Sequence, residues 1–400
     1  MTKKKKIPSP IKTDGKEEFS KILTPTTGKI SLYFHVPFCR KKCPYCHFFV
    51  IRNEQDKQVT LTKAFLQEID FNSHLLAQKE IVSIYFGGGT PILLSPKYFE
   101  QILNKVSANF ILSPECEITI EANPEDVDQN LIMELKQVGF NRFSIGVQTL
   151  DDTLLKKIGR NHNSEQIKKA LYCLHDCSID NVSIDLMYDL PDQTLAVFQD
   201  TLMQVEALPI SHLSLYNLTI EPNTVFFRKQ KTLHLPSSET SYQMLEYSIE
   251  KLESMGLMRY EISAFAKNGK VSKHNLGYWT SRDFLGFGPS AYSYFDKKRY
   301  RNIANFPKYA SQVFANERPV DFEEKLPYTK QVKEALAIGL RVLQGVNLPS
   351  FANFWKISSE DVFSYTQSLI EQQFLKYETP FLFLTEKGKL FYDTVASEIV

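Results

Sequence analysis

The sequence predicts an α/β protein: a partial, TIM-like (β/α)6 barrel with a small C-terminal domain that is helical or winged-helix-like. Between residues 30 and 219, short apolar runs alternate with amphipathic helical segments, a pattern typical of parallel strands joined by helices. Six such units are visible, which favours an open barrel over a closed one of eight units. After Tyr328 the pattern changes to helices and a short hairpin, which predicts the second domain.

The elements of the barrel follow from the apolar runs in chain order. The first strand covers residues 30–36 and leads directly into a segment with three cysteines. The other predicted strands are 81–86, 117–121, 142–147, 182–187 and 212–219. The predicted helices between them are 59–76, 96–110, 126–138, 164–175 and 195–208.

The second half of the chain has a less regular pattern. Residues 239–255 predict a long helix and 258–263 one further strand, whereas 274–300 are rich in glycine and aromatics without a clear period. The helices predicted near the C-terminal end are 330–343, 359–372 and 386–399. We therefore expect four parts: a disordered basic tail (1–28), a core domain (29–265), a connecting segment (266–310) and a C-terminal domain (311–400).

Composition excludes several classes of function. The 47 basic and 46 acidic residues give a net charge of +1, so no basic surface for nucleic acid is expected. No apolar stretch is long enough for a transmembrane segment, and the lysines at the N-terminus are not followed by the apolar stretch of a secretory signal. We expect a cytoplasmic protein, and peripheral contact with a membrane is left open.

Three of the six cysteines, Cys39, Cys43 and Cys46, lie within eight residues with the spacing C-x3-C-x2-C. Six cysteines are too few for a disulfide scaffold, and thiolates are the ligands that zinc and iron–sulfur clusters prefer. A zinc site completed by His35 or His47 is one interpretation. The other is a four-iron cube whose fourth iron has no protein ligand. The remaining three cysteines are expected to be ordinary buried residues: Cys116, Cys173 and Cys177.

The cysteine spacing resembles the signature of the radical S-adenosylmethionine (SAM) superfamily. Residues 86–91, Phe-Gly-Gly-Gly-Thr-Pro, resemble the loop of that superfamily that contacts the methionine part of SAM. Glycines at a strand end let the backbone approach a ligand and offer free N–H groups. The resemblance implies a [4Fe–4S] cluster on Cys39, Cys43 and Cys46. It also implies that one electron from the cluster cleaves SAM to a 5′-deoxyadenosyl radical.

Further motifs narrow the resemblance to the oxygen-independent coproporphyrinogen III oxidases and the related haem chaperones of HemW type. The motifs are YxHxPFC (33–39), EANP (121–124), IGVQ (145–148), GR (159–160) and DLMYDLP (185–191). The family usually has glycine where this chain has Asp189. The resemblance implies SAM contacts from Tyr33, Tyr45, Gly88, Gly89, Thr90, Glu121, Gln148, Arg160 and Asp185.

The chemistry of these side chains is consistent with such contacts. Glu121 and Asp185 stand at strand ends and can accept hydrogen bonds from the amine or ribose hydroxyls of SAM. Arg160 can pair with the methionine carboxylate.

Three features favour the chaperones over the oxidases. The oxidases continue the cysteine motif with a fourth cysteine two residues after the third, a position that Phe48 occupies here. They also carry a longer N-terminal extension, whereas 38 residues precede Cys39. Residues 274–279 match the HNxxYW motif of the chaperones, in which His274 is a candidate ligand of haem iron. We expect a haem chaperone that binds haem or a porphyrin and passes haem to an acceptor protein; the alternatives are the oxidase activity and a radical SAM reaction on another substrate.

Overall fold

The structure, a computed structural model, describes residues 28–400, which form two compact units. The larger unit contains the described residues up to Gly277 and Arg282–Gln331, and the smaller contains Tyr278–Ser281 and Val332–Val400. Except for Gly28, the predicted tail of residues 1–28 lies outside the described residues. Within residues 28–400, we find no helix with the length and apolar character needed to span a membrane.

The larger unit is built on a twelve-stranded sheet, and a separate short pair, β2 and β3, lies beside the cysteines. The strands are β1 (Lys29–Val36), β2 (Phe38–Cys39), β3 (Ile51–Arg52), β4 (Glu80–Gly88), β5 (Ile111–Ala122), β6 (Arg142–Gln148), β7 (Val182–Tyr188), β8 (His212–Asn217), β9 (Met258–Glu261), β10 (Ala264–Ala266), β11 (Asp283–Phe287), β12 (Tyr292–Phe295), β13 (Lys298–Asn302) and β14 (Val320–Glu324). The order in the sheet is β14-β13-β12-β11-β1-β4-β5-β6-β7-β8-β10-β9. Neighbouring strands from β11 through β8 are parallel. The predicted α/β fold with six parallel strand–helix units is confirmed.

Each of the five helices predicted between strands β1 and β8 has a counterpart in the structure, with different ends, and the structure adds two short helices, Ser73–Leu76 and Asp152–Lys157. The helices of the larger unit are Gln55–Phe71, Ser73–Leu76, Pro96–Asn109, Gln129–Val138, Asp152–Lys157, Ser164–Asp176, Leu195–Val205, Val225–Lys229, Ser238–Ser254, Lys273–Trp279 (as far as Gly277) and Phe306–Phe314. The predicted helix 59–76 is interrupted at Asn72. The predicted helix 126–138 begins later, because Asp128 caps its N-terminus by accepting from the backbone N–H groups of Asn130 and Leu131.

The parallel strands bury both faces, but the two faces differ in chemistry. On one face Phe34 of β1 stacks at 4.8 Å on Phe86 and at 4.8 Å on Phe287. On the other face the Ser83 hydroxyl donates to the Ser31 hydroxyl at 2.9 Å, and both side chains are buried. Because side chains alternate along a strand, the apolar residues face one side of the sheet and the polar residues face the other.

The segment without a clear period forms strands β11–β13, which extend the main sheet beyond β1. A buried carboxylate fixes this extension. Glu68 accepts hydrogen bonds from the Gly288 N–H at 2.9 Å, the Asn302 amide at 2.6 Å and the Tyr309 hydroxyl at 2.6 Å. One side chain of the helix Gln55–Phe71 therefore fixes the turn at Gly288, the end of strand β13 and the helix Phe306–Phe314.

The smaller unit contains a three-stranded antiparallel sheet and helices. Its strands are β15 (Val346–Asn347), β16 (Leu375–Glu378) and β17 (Phe381–Leu384), in the order β15-β17-β16. Its helices are Tyr328–Gly339 (from Val332 onward), Leu348–Trp355, Ser359–Glu371, Glu386–Leu390 and Tyr392–Ile399. The last two replace the single predicted helix 386–399. The Arg341 guanidinium lies 4.4 Å from the centre of the Trp279 ring. The predicted helical character of the C-terminal region is confirmed.

Candidate cluster and cofactor site

A cavity of about 430 Å³ opens at the carboxyl ends of the parallel strands of the larger unit. Ligands of parallel β/α proteins collect at this end of the strands. The predicted site residues that line it are Cys39, Cys43, Tyr45, Cys46, Gly88, Gly89, Thr90, Glu121, Gln148, Arg160 and Asp185. Among the predicted residues, Tyr33 and His274 do not line it. The structure thus brings together residues that span almost 150 positions of the sequence.

The three thiols of the cavity are partly exposed, and two of them, Cys39 and Cys43, share hydrogen bonds with side chains of the cavity wall. The Cys39 Sγ lies 3.5 Å from the Thr90 hydroxyl, and an Arg160 N–H donates to the Cys43 Sγ at 3.8 Å. The Asn123 amide joins the two donors, since its Nδ2 donates to Thr90 at 3.0 Å and its Oδ1 accepts from Arg160 at 2.6 Å. Asn123 belongs to the EANP motif, but its place in this network could not be read from the motif alone.

The donor set fits a four-iron cluster. Among residues 28–400, no three His, Cys, Asp or Glu side chains converge closely enough to hold a single metal ion. A cube does not require such convergence, because each thiolate binds a different iron. The buried Nε of Arg160 has no hydrogen-bond partner although the other guanidinium nitrogens do, so the cavity wall presents a donor that a ligand can satisfy.

The glycine loop after β4 serves mainly to bring its backbone against the cysteine segment. A Cβ on Gly89 would lie 2.6 Å from the Phe38 carbonyl oxygen, and one on Gly88 would lie 2.4 Å from the His35 ring. The expectation of free N–H groups is wrong for this loop. The N–H of Gly88 donates to Glu121 at 3.0 Å, that of Gly89 to the Val36 carbonyl at 3.0 Å and that of Thr90 to the Phe38 carbonyl at 2.6 Å.

Two carboxyl groups of the cavity wall have raised pKa values. Glu121 accepts from the Tyr85 hydroxyl at 2.8 Å, yet burial and the nearby Asp185 raise its pKa to about 7. Burial likewise raises the pKa of Asp185 to about 6, against hydrogen bonds from Ser214 and Ser144 that lower it. Both groups therefore change charge close to neutral pH. The two serines are contributors that the sequence analysis missed, because single serines in strands carry no motif.

Tyr33 and His35 belong to the wall behind the cavity. The Tyr33 hydroxyl lies 3.0 Å from the Nδ1 of His35, and the Nε2 of His35 donates to the Phe49 carbonyl at 2.9 Å. Burial lowers the pKa of His35 to about 4, so its ring is neutral. With both ring nitrogens bonded, His35 supports the base of the cysteine loop; contact of Tyr33 with SAM remains a prediction.

His274 is buried in the polar interior of the barrel. Its Nδ1 lies 3.0 Å from the Ser83 hydroxyl, and its ring centre lies 4.9 Å from that of Tyr85. The backbone N–H of His274 donates to the Glu117 carboxylate at 3.0 Å, and this hydrogen bond anchors the start of the helix Lys273–Trp279. Burial lowers the pKa of His274 to about 3. The side chain is 1% exposed, so haem ligation by His274 remains a prediction that requires the ring to leave this position.

Asp189 and the other cysteines are not among the residues that line the cavity. Asp189 has φ +62°, in the left-handed region that favours glycine, and its carboxylate accepts from Asn217 and from Ser241, the latter at 2.6 Å. Glycine, which the family resemblance implies at this position, adopts such a conformation without a steric cost. Cys116 and Cys177 are buried as expected, whereas Cys173 is partly exposed.

The comparisons with known proteins agree with this geometry. Residues 33–205 match the family model of the radical SAM superfamily. The chain is 33% identical to the heme chaperone HemW of Bacillus subtilis (strain 168), over 90% of this chain and 96% of the relative. It is 31% identical to the heme chaperone HemW of Escherichia coli (strain K12), over 92% of this chain and 97% of the relative.

A solved structure of coproporphyrinogen III oxidase (HemN) from Escherichia coli shares the fold. It matches with a TM-score of 0.81 at 23% identity, over 96% of this chain and 93% of that chain. The assignment of the chain to a family therefore rests on the HemW relatives and on the radical SAM motifs, whose residues line the cavity. The chain belongs to the HemW family, within the radical SAM superfamily.

Proposed function

We propose that this protein is a haem chaperone, which binds haem and transfers it to an acceptor protein. The observation that carries the proposal is the identity of 33% to a heme chaperone HemW over almost the whole length of both chains. The cavity supports it, because a chaperone of this family needs a radical SAM site as well as a place for haem. The acceptor protein, a cytoplasmic location and any peripheral contact with a membrane belong to the same proposal.

Cys39, Cys43 and Cys46 would hold the [4Fe–4S] cluster, and the wall beside them would hold SAM. The bound cluster and SAM together supply a one-electron reduction that cleaves the sulfonium of SAM. Arg160 has an unused N–H for the methionine carboxylate of SAM, and a hydrogen bond already fixes it beside Cys43. Glu121 and Asp185 offer carboxylate oxygens for the amine or the ribose hydroxyls.

The hydrogen bonds to sulfur have a chemical consequence for this site. Donors aimed at cluster sulfurs stabilise the reduced, more negative cluster and so raise its reduction potential. Arg160 donates to Cys43, and the Thr90 hydroxyl lies close enough to Cys39 to donate to its thiolate. If Arg160 also binds the methionine carboxylate, this network would link bound SAM to the cluster, because Arg160 already contacts Cys43.

A separate experiment must distinguish the proposed chaperone from a coproporphyrinogen III oxidase. The position two residues after Cys46 is Phe48, which cannot act as a thiolate. We expect the cluster-loaded protein to convert no coproporphyrinogen III when SAM and a strong reductant are present, under conditions in which a coproporphyrinogen III oxidase does. Formation of protoporphyrinogen by this chain would replace the chaperone proposal with the oxidase.

A transfer experiment tests the chaperone directly. The haem-loaded protein is mixed with an excess of a haem-free acceptor hemoprotein, and the rate of haem transfer is compared with that from haem-loaded albumin. Transfer that depends on the concentration of the acceptor indicates direct delivery. A rate equal to the spontaneous dissociation of haem, independent of the acceptor concentration, would contradict delivery.

A further inference from the structure

We propose that His47 binds the haem iron at the rim of the cluster cavity, and that the cationic turn Arg40, Lys41 and Lys42 binds the haem propionates. The inference rests on the proposed function, since it locates the haem of the chaperone. It differs from the sequence-based expectation, which placed the iron on His274.

His47 is the histidine that a ligand can reach. Within residues 28–400, it is the one histidine that lines the cavity. Four other histidines have buried side chains: His35, His162, His212 and His274. His74, His175 and His234 are exposed but lie outside the cavity wall. A neutral imidazole binds haem iron well, so an exposed imidazole beside an open cavity meets the first requirement of a haem site.

The residue next to His47 provides apolar surface for a macrocycle. The Phe48 side chain is 52% exposed and lines the cavity, and its ring centre lies 4.7 Å from that of His47. Val50 and Leu218 add apolar atoms to the same cavity wall. Ligand sites combine such apolar lining with a few polar groups that fix orientation. The exposed ring of Phe48 can therefore pack against the flat porphyrin.

The cationic turn lies in the same loop and in the same cavity wall. The Lys42 ammonium donates to the Phe48 carbonyl at 2.9 Å, which ties the turn to the apolar surface and leaves two N–H donors for a carboxylate. The Arg40 guanidinium pairs with Asp126 at 2.8 Å, yet its side chain stays 62% exposed. Lys41 is exposed. Two propionates carry two negative charges, which this turn can neutralise without the buried Arg160.

Two acidic groups of the cavity wall, Glu121 and Glu125, are engaged by other groups of the protein. Glu121 is bonded to Tyr85 and to the Gly88 N–H, and Glu125 lies 2.8 Å from the His162 ring. Both carboxylates therefore face groups of the strands and helices. Asp185 and Glu221 also line the cavity and Asp126 pairs with Arg40, so the positive charge that the turn offers to the propionates comes mainly from Lys41 and Lys42. A haem held on His47 would lie directly beside Cys46, so the haem and the cluster would occupy the same loop.

An anaerobic haem titration of the cluster-loaded protein tests the inference. His47→Ala should weaken haem binding at least about tenfold and shift the Soret band, and added imidazole should restore the band of the native protein. His47→Met should bind haem with a different band, because a thioether replaces the imidazole. His74→Ala, which changes an exposed histidine outside the cavity, serves as the matched control and should leave the titration unchanged. All variants are compared at equal iron and sulfide content.

The outcomes separate the inference from the proposed function. If the native protein binds no haem, the chaperone function fails. If the native protein binds haem and His47→Ala gives the same affinity and band, the inference is overturned and the chaperone function stands. A spectral change in His274→Ala, with none in His47→Ala, would overturn the inference in favour of the buried histidine.

Haem dimethyl ester tests the contacts with the propionates separately. Haem dimethyl ester has the same macrocycle without the carboxylates. The native protein should bind haem more tightly than the ester, and the double variant Lys41→Gln, Lys42→Gln should lose most of that preference. An undiminished preference in the double variant would overturn the role of the cationic turn.

Discussion

An N–H of the Arg160 guanidinium donates to the Sγ of Cys43 at 3.8 Å, although the two residues are 117 positions apart in sequence. The same guanidinium is held by the Gly146 carbonyl at 2.7 Å and by Asn123 at 2.6 Å. One side chain thus connects the strand β6, the EANP motif and the cysteine loop. Its Nε is buried and has no hydrogen-bond partner.

Arg160→Lys should lower the affinity for SAM by about ten- to a hundredfold, because an ammonium cannot maintain the separate contacts of the planar guanidinium. The reduction potential of the cluster should also fall, since a donor to sulfur is lost. Equilibrium dialysis and a spectroscopic redox titration measure the two effects. Arg228→Lys, at an exposed position, is the control. Equal SAM affinity in both variants would show that Arg160 has no part in the site.

Gly89→Ala should destabilise the larger unit by roughly 1–3 kcal/mol, since the added Cβ would lie 2.6 Å from a backbone oxygen that has little room to move. Loss of the loop contact should also reduce the iron retained per chain. Thermal unfolding and iron analysis measure these changes. Gly269→Asn is the control, because no atom lies within 4 Å of its Cβ position and asparagine tolerates φ +70°. A Gly89→Ala protein as stable as the control would contradict the close packing of this loop.

The affinity for SAM should rise as the pH increases from about 6 to 8. Burial raises the pKa of Glu121 to about 7, so the group is largely neutral below that pH and becomes the carboxylate that attracts an ammonium group above it. Glu121→Gln should bind SAM more weakly at pH 8 and should lose most of this pH dependence; Asp185, with a pKa of about 6, accounts for the remainder. An identical pH profile in Glu121→Gln would exclude Glu121 as the titrating group.

Glu68 should make the cluster-free chain less stable as the pH rises. Its pKa is about 7 in the folded protein, against an ordinary value near 4.5, so the folded state binds more protons between these pH values. Stability then falls from pH 4.5 to 7, by an amount on the order of 1–3 kcal/mol, and the loss is complete above 7. Thermal midpoints at pH 5 and pH 8 should differ less in Glu68→Gln than in the native chain or in the exposed control Glu100→Gln. Equal differences in all three proteins would contradict this role.

The sequence was sufficient to predict the six parallel strands from β1 to β8 and a segment of three clustered cysteines after the first of them. Strands such as β1 and β7 have an apolar face and strong turn signals at their ends, and the cysteine spacing has few alternative interpretations. Strands β11–β13 could not be predicted, because residues 283–302 contain aromatic, charged and glycine residues in no regular order. Their conformation depends on contacts with distant residues, above all the three hydrogen bonds of Glu68.

The hydrogen-bond partners within the site were also beyond sequence-based prediction. The motif after β4 indicates close backbone approach, but only the structure shows that Glu121, Val36 and Phe38 accept its N–H groups. The burial of His274 was likewise not predictable, because residues 274–300 have no clear period that would show which side chains face the interior. Buried polar interiors of barrels are a general source of such differences, since composition alone does not show which face a polar side chain occupies.

The most direct test of the central claim is the stoichiometry of haem bound by the native protein after anaerobic reconstitution of its cluster. We predict one tightly bound haem per chain, with a Soret band distinct from that of free haem, in protein that also retains about four irons in its cluster. Failure to bind haem at a concentration at which the cluster is intact would contradict the account. The radical SAM site would then have to serve another substrate.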